Sequence, residues 1–249
     1  MSSDELQIIE TKKIPNIKNC IIGMPDTGLT GMIGVTHLIS SLSLDEIGYI
    51  DSNLLPPVMV VHKGIPKQPI RLFGNENLAA ITSEIPLNIT SMYPLAKSIV
   101  NWVKSKGAEL LISISGVAVQ NRMEIKNPLV YGVATLDKTK KLLDRAEIKL
   151  LEEGFMVGPH ALILKECMAK KVNNLTLLAQ SHPQYPDPGA AAATVNSINK
   201  LLDLNVDVNK LLEQADEIRL KTRELMQRTA KSLKGMEKVQ EQELPVMYG

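Results

Sequence analysis

Residues 19–42 read NCIIGMPDTGLTGMIGVTHLISSL, and this stretch decides the fold. Its first six residues form a short apolar run of the kind that makes a strand. A turn with proline and glycine follows, and apolar residues then recur at helical spacing as far as Leu42. The stretch therefore predicts a strand, a tight turn and a helix.

The same alternation continues along the chain. Further helices are predicted over 90–106, 137–146 and 159–170. Further strands are predicted over 46–51, 57–63, 69–73, 77–84, 110–114, 130–136 and 175–180. The early strands are short and interrupted by proline and glycine, which favours antiparallel pairing for part of them, whereas the later strands alternate with helices. This order predicts an α/β fold, a three-layer domain with a mixed sheet.

Two further helices are predicted near the C-terminus, each with an aspartate at its start. Asp187 is a good N-cap and Pro188 suits the first helical position, so one helix should begin there and reach Leu204. Asp207 can cap a second helix, which should end at about Lys234. No proline occurs between Pro188 and Pro245. The C-terminal part is therefore a different kind of structure from the strand-rich part before it.

The second of these helices carries a charged surface and a narrow apolar stripe. The stripe consists of Leu204, Val208, Leu211, Ala215, Ile218 and Leu225, and then shifts to Met226, Ala230 and Leu233. Packing on the domain's own surface and self-association both explain such a stripe. After Gly235 the residues are polar and without a period, which predicts a flexible tail. We therefore expect a scaffold domain over 1–204 and a C-terminal helix and tail over 205–249.

Charge and composition exclude several classes of function. The formal net charge is +1, from 28 basic and 27 acidic side chains, and aromatic residues make up 3%. This composition predicts no nucleic-acid partner, because both a basic surface and stacking aromatic side chains are lacking. Two cysteines, Cys20 and Cys167, predict no disulfide framework and fit a reducing cytoplasm. The start lacks the apolar core of a signal peptide, and no apolar run is long enough to span a membrane, so we expect a cytoplasmic protein without a membrane partner.

The first turn resembles a phosphate-binding loop but departs from it at the decisive position. Residues 23–30 match G-x-x-x-x-G-K-[ST] except that Leu29 stands in place of the lysine. Without that cation, phosphate groups lose their main counter-charge, and Asp26 adds repulsion. The glycines that follow are spaced by three, which does not fit the dinucleotide fingerprint and indicates close packing of a helix on the sheet. We expect no nucleotide chemistry here.

Residues that could carry catalysis are scattered. The histidines are His37, His62, His160 and His182, and none stands at metal-ligand spacing. Ser113 and Ser115 end a strand without the nucleophile-elbow pattern, and Cys167 has no recognisable base. The polar loop 116–127 is interpreted as a plain surface loop, and the alternative is that it shapes a pocket at the carboxyl end of the strand before it. We therefore expect no metal, no cofactor and no enzyme activity.

The last three residues, Met247, Tyr248 and Gly249, form a candidate partner-binding anchor. Methionine gives an adaptable apolar contact, and tyrosine gives an aromatic body with a polar tip. The carboxylate of Gly249 can pair with a lysine or with backbone amides. Pro245 disfavours a helical Leu244, so these residues should leave the helix extended.

Four segments resemble those of the proteasome assembly chaperone family, in particular its archaeal members. They are IIGMPDTGLTG at 21–31, NPLVYGVAT at 127–135, GFMVGPHALIL at 154–164 and YPDPGAAAAT at 185–194. The resemblance implies a three-layer α/β domain similar to nucleoside phosphorylases but without their chemistry. It also implies homo-oligomers or pairing with a relative. In some members the chain ends in a hydrophobic residue, a tyrosine and any residue, the HbYX motif that docks between α-subunits of the proteasome core particle.

On this resemblance the HbYX motif falls on Met247, Tyr248 and Gly249. A glycine replaces the bulkier last residue that is often found there. We expect a non-enzymatic proteasome assembly chaperone or activator that forms a homo-oligomer of more than two subunits, alone or with a related family member. The alternatives are a small-metabolite enzyme with a phosphorylase-like cleft and an oligomeric scaffold that does not bind the proteasome.

Overall fold

A computed structural model describes residues 6–243 of the chain. Its strands are β1 (Gln7–Glu10), β2 (Asn19–Gly23), β3 (Asp45–Asp51), β4 (Val60–His62), β5 (Ile65–Lys67), β6 (Ile70–Gly74), β7 (Leu78–Ser83), β8 (Leu110–Ala118), β9 (Val130–Ala134), β10 (Lys149–Leu150) and β11 (Asn174–Ser181). Its helices are α1 (Thr30–Ser41), α2 (Ile89–Ser105), α3 (Asp137–Arg145), α4 (Pro159–Lys170), α5 (Pro188–Leu202), α6 (Asn209–Glu213) and α7 (Ala215–Glu243). Single 3-10 turns lie at Thr27–Leu29 and Arg122–Glu124.

Nine of the described strands form one mixed sheet in the order β1-β3-β6-β7-β2-β8-β11-β9-β10. The central strands β7, β2, β8 and β11 are parallel. On one side β6, β3 and β1 follow in antiparallel pairs, and on the other side β9 runs antiparallel to β11. The carboxyl ends of β2, β8 and β11 therefore meet at one edge of the sheet.

Helices cover both faces of this sheet, which makes three layers. On one face, α2 and α4 bury Leu95, Ile99 and Ile163 against the strands. On the other face, α1 and α5 bury Leu38 and Ile198. The central strand β8 is buried on both faces, so its first six residues read LLISIS with little alternation. The expected three-layer α/β domain with a mixed sheet is confirmed. The further likeness to nucleoside phosphorylases stays a prediction.

Close approach of backbones holds α1 against the sheet. A Cβ atom on Gly31 would overlap the carbonyl oxygen of Ile114 in β8, and a Cβ atom on Gly23 would overlap the backbone of Gly31. Gly34, one turn further along α1, has Thr194 Oγ1 as its nearest neighbour at 3.4 Å, an ordinary contact. Gly23 and Gly31 are therefore required by packing. The packing role that the sequence indicated for the glycines spaced by three holds for Gly31 and not for Gly34.

The prediction was wrong in detail at the short strands. Of the predicted strand 57–63 only Val60–His62 is extended, and it pairs with Ile65–Lys67 in a separate hairpin rather than in the main sheet. The edge strands β1 and β10 were not predicted. Both are only a few residues long, so their sequence contains too few alternations to reveal them.

The C-terminal helix also differs from its prediction. The helix is interrupted at Gln214, which divides it into α6 and α7. The N-cap of α6 is Val208 and not the predicted Asp207. Asp207 still contributes, because its Oδ1 accepts a hydrogen bond from Asn209 N at 2.9 Å. α7 continues past the predicted end at Lys234 to Glu243, because most residues after Gly235 are good helix formers and no proline occurs before position 245. The expected flexible tail is therefore helical over 236–243.

The apolar stripe of this C-terminal region packs on the domain. Leu211 and Met226 are buried, and Ile218 and Leu225 pack beside them, against Leu29 and other residues of α1 and α5. This is the first of the two interpretations of the stripe. No helix within residues 6–243 is both long enough and apolar enough to cross a membrane.

Candidate functional site

The predicted anchor residues Met247, Tyr248 and Gly249 lie outside the described residues. The structure describes the chain as far as Glu243, the last residue of α7. Helix α7 leads toward the anchor and lies on a surface of the domain. This surface is the crevice at the carboxyl ends of β2, β8 and β11.

The turn after β2 forms the floor of the crevice. Gly28 has φ of 66°, in the left-handed region that glycine adopts without strain, and its carbonyl oxygen accepts a hydrogen bond from Asp187 N at 2.8 Å. Thr30 Oγ1 and Ser181 Oγ lie 2.7 Å apart and join the start of α1 to the end of β11. A side chain at Gly28 would press on Ser181 and Asp187. The turn after β2 therefore contacts both the end of β11 and the start of α5.

This turn is not built to hold phosphate. Leu29, which takes the place of the lysine of a phosphate-binding loop, is fully buried and packs in the cluster with Met32 and Ala191. A cation could not occupy that position without loss of the cluster. The side chain of Asp26 is also turned inward and is buried. The geometry therefore argues against nucleotide chemistry at residues 23–30.

A buried ion pair joins two walls of the crevice. Arg122 follows β8, Asp187 precedes α5, and their side chains are only 9% and 6% exposed. Arg122 Nη2 donates to Asp187 Oδ1 at 2.9 Å, and Nε lies 2.7 Å from Oδ2. Asp187 Oδ1 also accepts from Ala190 N at 2.9 Å, which is the N-cap bond of α5, and Oδ2 accepts from His182 N at 3.1 Å. One carboxylate therefore fixes a helix terminus and two loops.

Helix α7 lies along the crevice, and the two together form an open cavity of about 590 Å³. The lining residues are Arg122, Met123, His182, Tyr185, Pro186, Asp187, Arg219, Leu220 and Arg223. The loops after β8 and β11 supply one side, and α7 supplies the other. We call this space the α7 cavity. Arg122 and Met123 of the polar loop 116–127 line this cavity, so the alternative interpretation of the loop holds and the plain surface loop was wrong.

A second buried polar pair lies behind the crevice. His160 Nε2 is 3.6 Å from Asp26 Oδ2, and both side chains are buried. Burial lowers the pKa of His160 to about 4. Burial also raises the pKa of Asp26 well above its usual range, although Ser115 and the amide of Gly116 act to lower it. Both groups are fully enclosed, so the pair cannot reach a substrate.

The candidate nucleophiles are also enclosed. Burial raises the pKa of Cys167 to about 12 and raises that of Cys20 further, so both thiols are protonated at neutral pH. Ser113 is buried and its hydroxyl accepts a hydrogen bond from Asn174 Nδ2 at 3.3 Å. In the described residues no group of three His, Cys, Asp or Glu side chains could hold a metal ion. None of these three side chains, Cys20, Cys167 and Ser113, lines the α7 cavity.

Sequence reasoning identified part of this site and missed the rest. Asp187 was recognised as a helix cap, but its pairing with Arg122 was not, because 65 residues separate them. Arg219 and Arg223 stand four residues apart in α7, a spacing that places them on one side of the helix. That spacing could have indicated a positively charged side of the helix from the sequence alone. The surface that faces them could be identified only from the fold.

A model of the PAC2 family matches residues 20–226 of the chain. This range includes the first turn, the ion pair of Arg122 and Asp187, and the part of α7 that lines the cavity. The match therefore covers the α7 cavity and most of the sheet and its helices, whereas β1 and the part of α7 after residue 226 lie outside it.

Several known proteins are similar over almost the whole chain. An uncharacterised protein of Methanocaldococcus jannaschii is 28% identical over 232 residues, which cover 92% of this chain and 94% of that protein. The crystal structure of Pyrococcus furiosus PbaA, described as an archaeal homologue of proteasome-assembly chaperone, matches with a TM-score of 0.84 and 30% identity, over 91% of this chain and 99% of PbaA. Pyrococcus furiosus PbaB, described as an archaeal proteasome activator, matches with a TM-score of 0.74 over 89% of this chain and 99% of its own. At 21% identity the likeness to PbaB concerns the fold alone.

Proposed function

The chain belongs to the PAC2 family, and from this premise we propose that it is a non-enzymatic proteasome assembly chaperone or activator. The observation that carries the proposal is the likeness to PbaA, which extends over 91% of the chain at 30% identity. A proteasome partner implies a cytoplasmic location for this activity. The enclosed thiols and the enclosed pair of Asp26 and His160 are in keeping with a role in binding rather than catalysis.

The proposed contact is made by Met247, Tyr248 and Gly249, which dock between α-subunits of the proteasome core particle. The course of α7 supports this assignment. Its last described bond to the domain is from Ser232 Oγ to Leu87 O, at 3.0 Å. Beyond it the helix continues to Glu243, which at about 1.5 Å per residue carries the chain roughly 16 Å past that bond. A short anchor needs such a spacer to enter a pocket without a clash between the two proteins.

We further propose that the protein acts as a homo-oligomer of more than two subunits, assembled through the α/β domains. A three-residue plug binds weakly on its own, whereas several plugs on one assembly gain about 10² to 10⁴ in avidity when all can engage. A symmetric assembly would present its anchors to a ring of α-subunits together. Light scattering on the full chain tests this step. A monomer at micromolar concentration would contradict the multivalent mechanism.

A pull-down of proteasome α-subunits tests the proposed function. The full chain is immobilised through its N-terminus, and a variant that lacks residues 247–249 serves as the comparison. We expect the full chain to retain α-subunits and the variant to lose them, while both unfold at the same temperature. Failure of the full chain to retain any α-subunit would contradict the proposal.

The same reagents separate chaperone from activator. If the protein assists assembly, it should form a complex with unassembled α-subunits and leave peptide hydrolysis by complete core particles unchanged. If it opens the gate, it should raise that hydrolysis, and removal of residues 247–249 should abolish the increase. If this chain acts only together with a related family member, both assays should require the addition of that second protein.

A further inference from the structure

The α7 cavity combines apolar side chains that solvent can reach with an excess of positive charge. Met123 is 84% exposed, Leu220 74% and Tyr185 57%. These three come from the loop after β8, from α7 and from the loop after β11, yet they surround one cavity. Large apolar side chains that converge in this way mark interaction sites, whereas isolated ones do not.

The charge of the lining is unbalanced. It contains three arginines and one carboxylate, that of Asp187, and this carboxylate is already paired with Arg122. Arg219 contacts Asp216 at 2.7 Å on the outer surface of α7, where Asp216 is 94% exposed. Arg223 forms no ion pair with any side chain that the structure describes. The cavity therefore has cations to offer to an incoming anion.

The residue types match those of protein interfaces. Arginine, methionine and tyrosine are enriched at the centres of interfaces, and lysine, glutamate and aspartate are depleted there. The cavity lining has arginine, methionine and tyrosine, neither lysine nor glutamate, and one aspartate, Asp187, which is paired with Arg122. Its rim is also open, since its apolar side chains are mostly exposed. A peptide that lies across the rim fits this geometry better than a small molecule that must be enclosed.

We propose that the α7 cavity is a docking site for a protein segment in which an apolar side chain is flanked by carboxylates. The apolar side chain enters between Met123, Tyr185 and Leu220, and the carboxylates pair with Arg219 and Arg223. The site lies on the flank of α7, about 20 residues before Glu243, and is distinct from the proposed anchor at 247–249. The inference does not depend on the proteasome as a partner.

Such a segment would also hold α7 in place. It would contact α7 and the two domain loops at the same time, so binding should stabilise the packing of the helix on the domain. Backbone amides of α7 should consequently exchange their hydrogens more slowly when the site is occupied. Slower hydrogen exchange in α7 is a second readout, because it depends on where the cavity lies and not only on its charge.

The test uses the full chain and three fluorescent hexapeptides. The probe is Asp-Glu-Leu-Phe-Glu-Asp, and the controls are Lys-Lys-Leu-Phe-Lys-Lys, which reverses the charge, and Asp-Glu-Ser-Ser-Glu-Asp, which lacks the apolar pair. We expect the probe to bind at least tenfold more tightly than either control. In spectra of methionine methyl groups, the probe should shift the signal of Met123 and leave that of Met168, which is 62% exposed on α4, unchanged.

Matched variants on α7 complete the test. The double change Arg219→Glu and Arg223→Glu should weaken probe binding at least tenfold, and Leu220→Ser should weaken it as well. Arg228→Glu, which alters an exposed arginine paired with Glu224 on another side of the same helix, should change it less than twofold. Equal binding of the three peptides, no binding of the probe, or unchanged affinity in the double variant would each overturn the inference.

Discussion

The guanidinium of Arg122 faces the carboxylate of Asp187 across 65 residues of sequence, with Nη2 and Oδ1 2.9 Å apart. The loop after β8 is thereby tied to the N-terminus of α5, and the same carboxylate holds the backbone amide of His182. Arg122 Nη1 also donates to Ile125 O at 2.7 Å, which fixes its own loop. The side of the α7 cavity formed by the loops after β8 and β11 is therefore held together by this charged pair.

Removal of this pair should be costly. In Arg122→Ala the buried carboxylate of Asp187 loses its counter-charge, and we expect the free energy of unfolding to fall by about 3–5 kcal/mol. Urea denaturation measures the change. Arg228→Ala, which removes an exposed arginine, serves as the control and should stay within about 0.5 kcal/mol of wild type. A loss for Arg122→Ala as small as that of the control would show that the pair does not hold this side of the cavity together.

The two glycines on one side of α1 should respond in opposite directions to alanine. Gly31→Ala forces a methyl group onto the carbonyl oxygen of Ile114, and we expect a destabilisation of about 1–3 kcal/mol. Gly34→Ala meets no atom closer than 3.4 Å and should stabilise the helix by up to about 1 kcal/mol. Thermal unfolding of the two variants measures the difference. Equal melting temperatures would contradict the close approach of α1 to β8.

His160 should make stability depend on pH in acid. Its pKa is lowered from 6.5 to about 4 by burial, so between these values the unfolded chain binds a proton that the folded chain does not. Stability should therefore fall as pH decreases from 6.5 to 4, by at most about 3 kcal/mol from this group. Asp26, whose pKa is raised by burial, acts in the opposite direction, because its contribution falls as pH rises above its unfolded value.

The difference between wild type and His160→Gln isolates the histidine. Urea unfolding at several values of pH should show a smaller decrease in stability from pH 6.5 to 4 in the variant than in wild type. Parallel curves for the two proteins in this range would contradict the lowered pKa of His160.

Truncation should separate the packed part of α7 from the part that carries the anchor. A variant that ends after Ser232 keeps the buried Leu211 and Met226, so its stability and its oligomeric state should equal those of the full chain, whereas proteasome binding should be lost. A variant that ends after Asp207 removes both side chains, each of which contributes about 1.5–3 kcal/mol through burial, and should be clearly less stable. Denaturation and light scattering on the two variants test the distinction. Equal stability of the two would mean that α7 does not pack on the domain.

Local patterns in the sequence were enough to predict much of the fold. α4 spans Pro159–Lys170 as predicted, and Asp187 accepts the capping bond of α5 as expected. The two-residue strand Lys149–Leu150 could not be predicted, because only its pairing with β9 makes it a strand. Helix α7 was predicted too short, since the polar sequence after Gly235 lacks a period but consists largely of helix formers.

The candidate site was less predictable than the fold for a physical reason. Met123, Tyr185 and Leu220 belong to three separate segments, and no local period connects them. Their convergence follows from the order of the strands, which places the ends of β8 and β11 side by side, and from the packing of α7 over them. A single sequence shows the residues but not this arrangement.

The central claim is that the chain binds the proteasome through its last residues, and the affinity of the full chain for the core particle of the source organism tests it most directly. Wild type is compared with Tyr248→Ala, and with Tyr93→Ala, which removes a tyrosine that is 47% exposed on α2. We predict that Tyr248→Ala weakens binding at least tenfold, while Tyr93→Ala leaves it within twofold of wild type. Equal affinity of wild type and Tyr248→Ala, or no binding by wild type, would contradict the account.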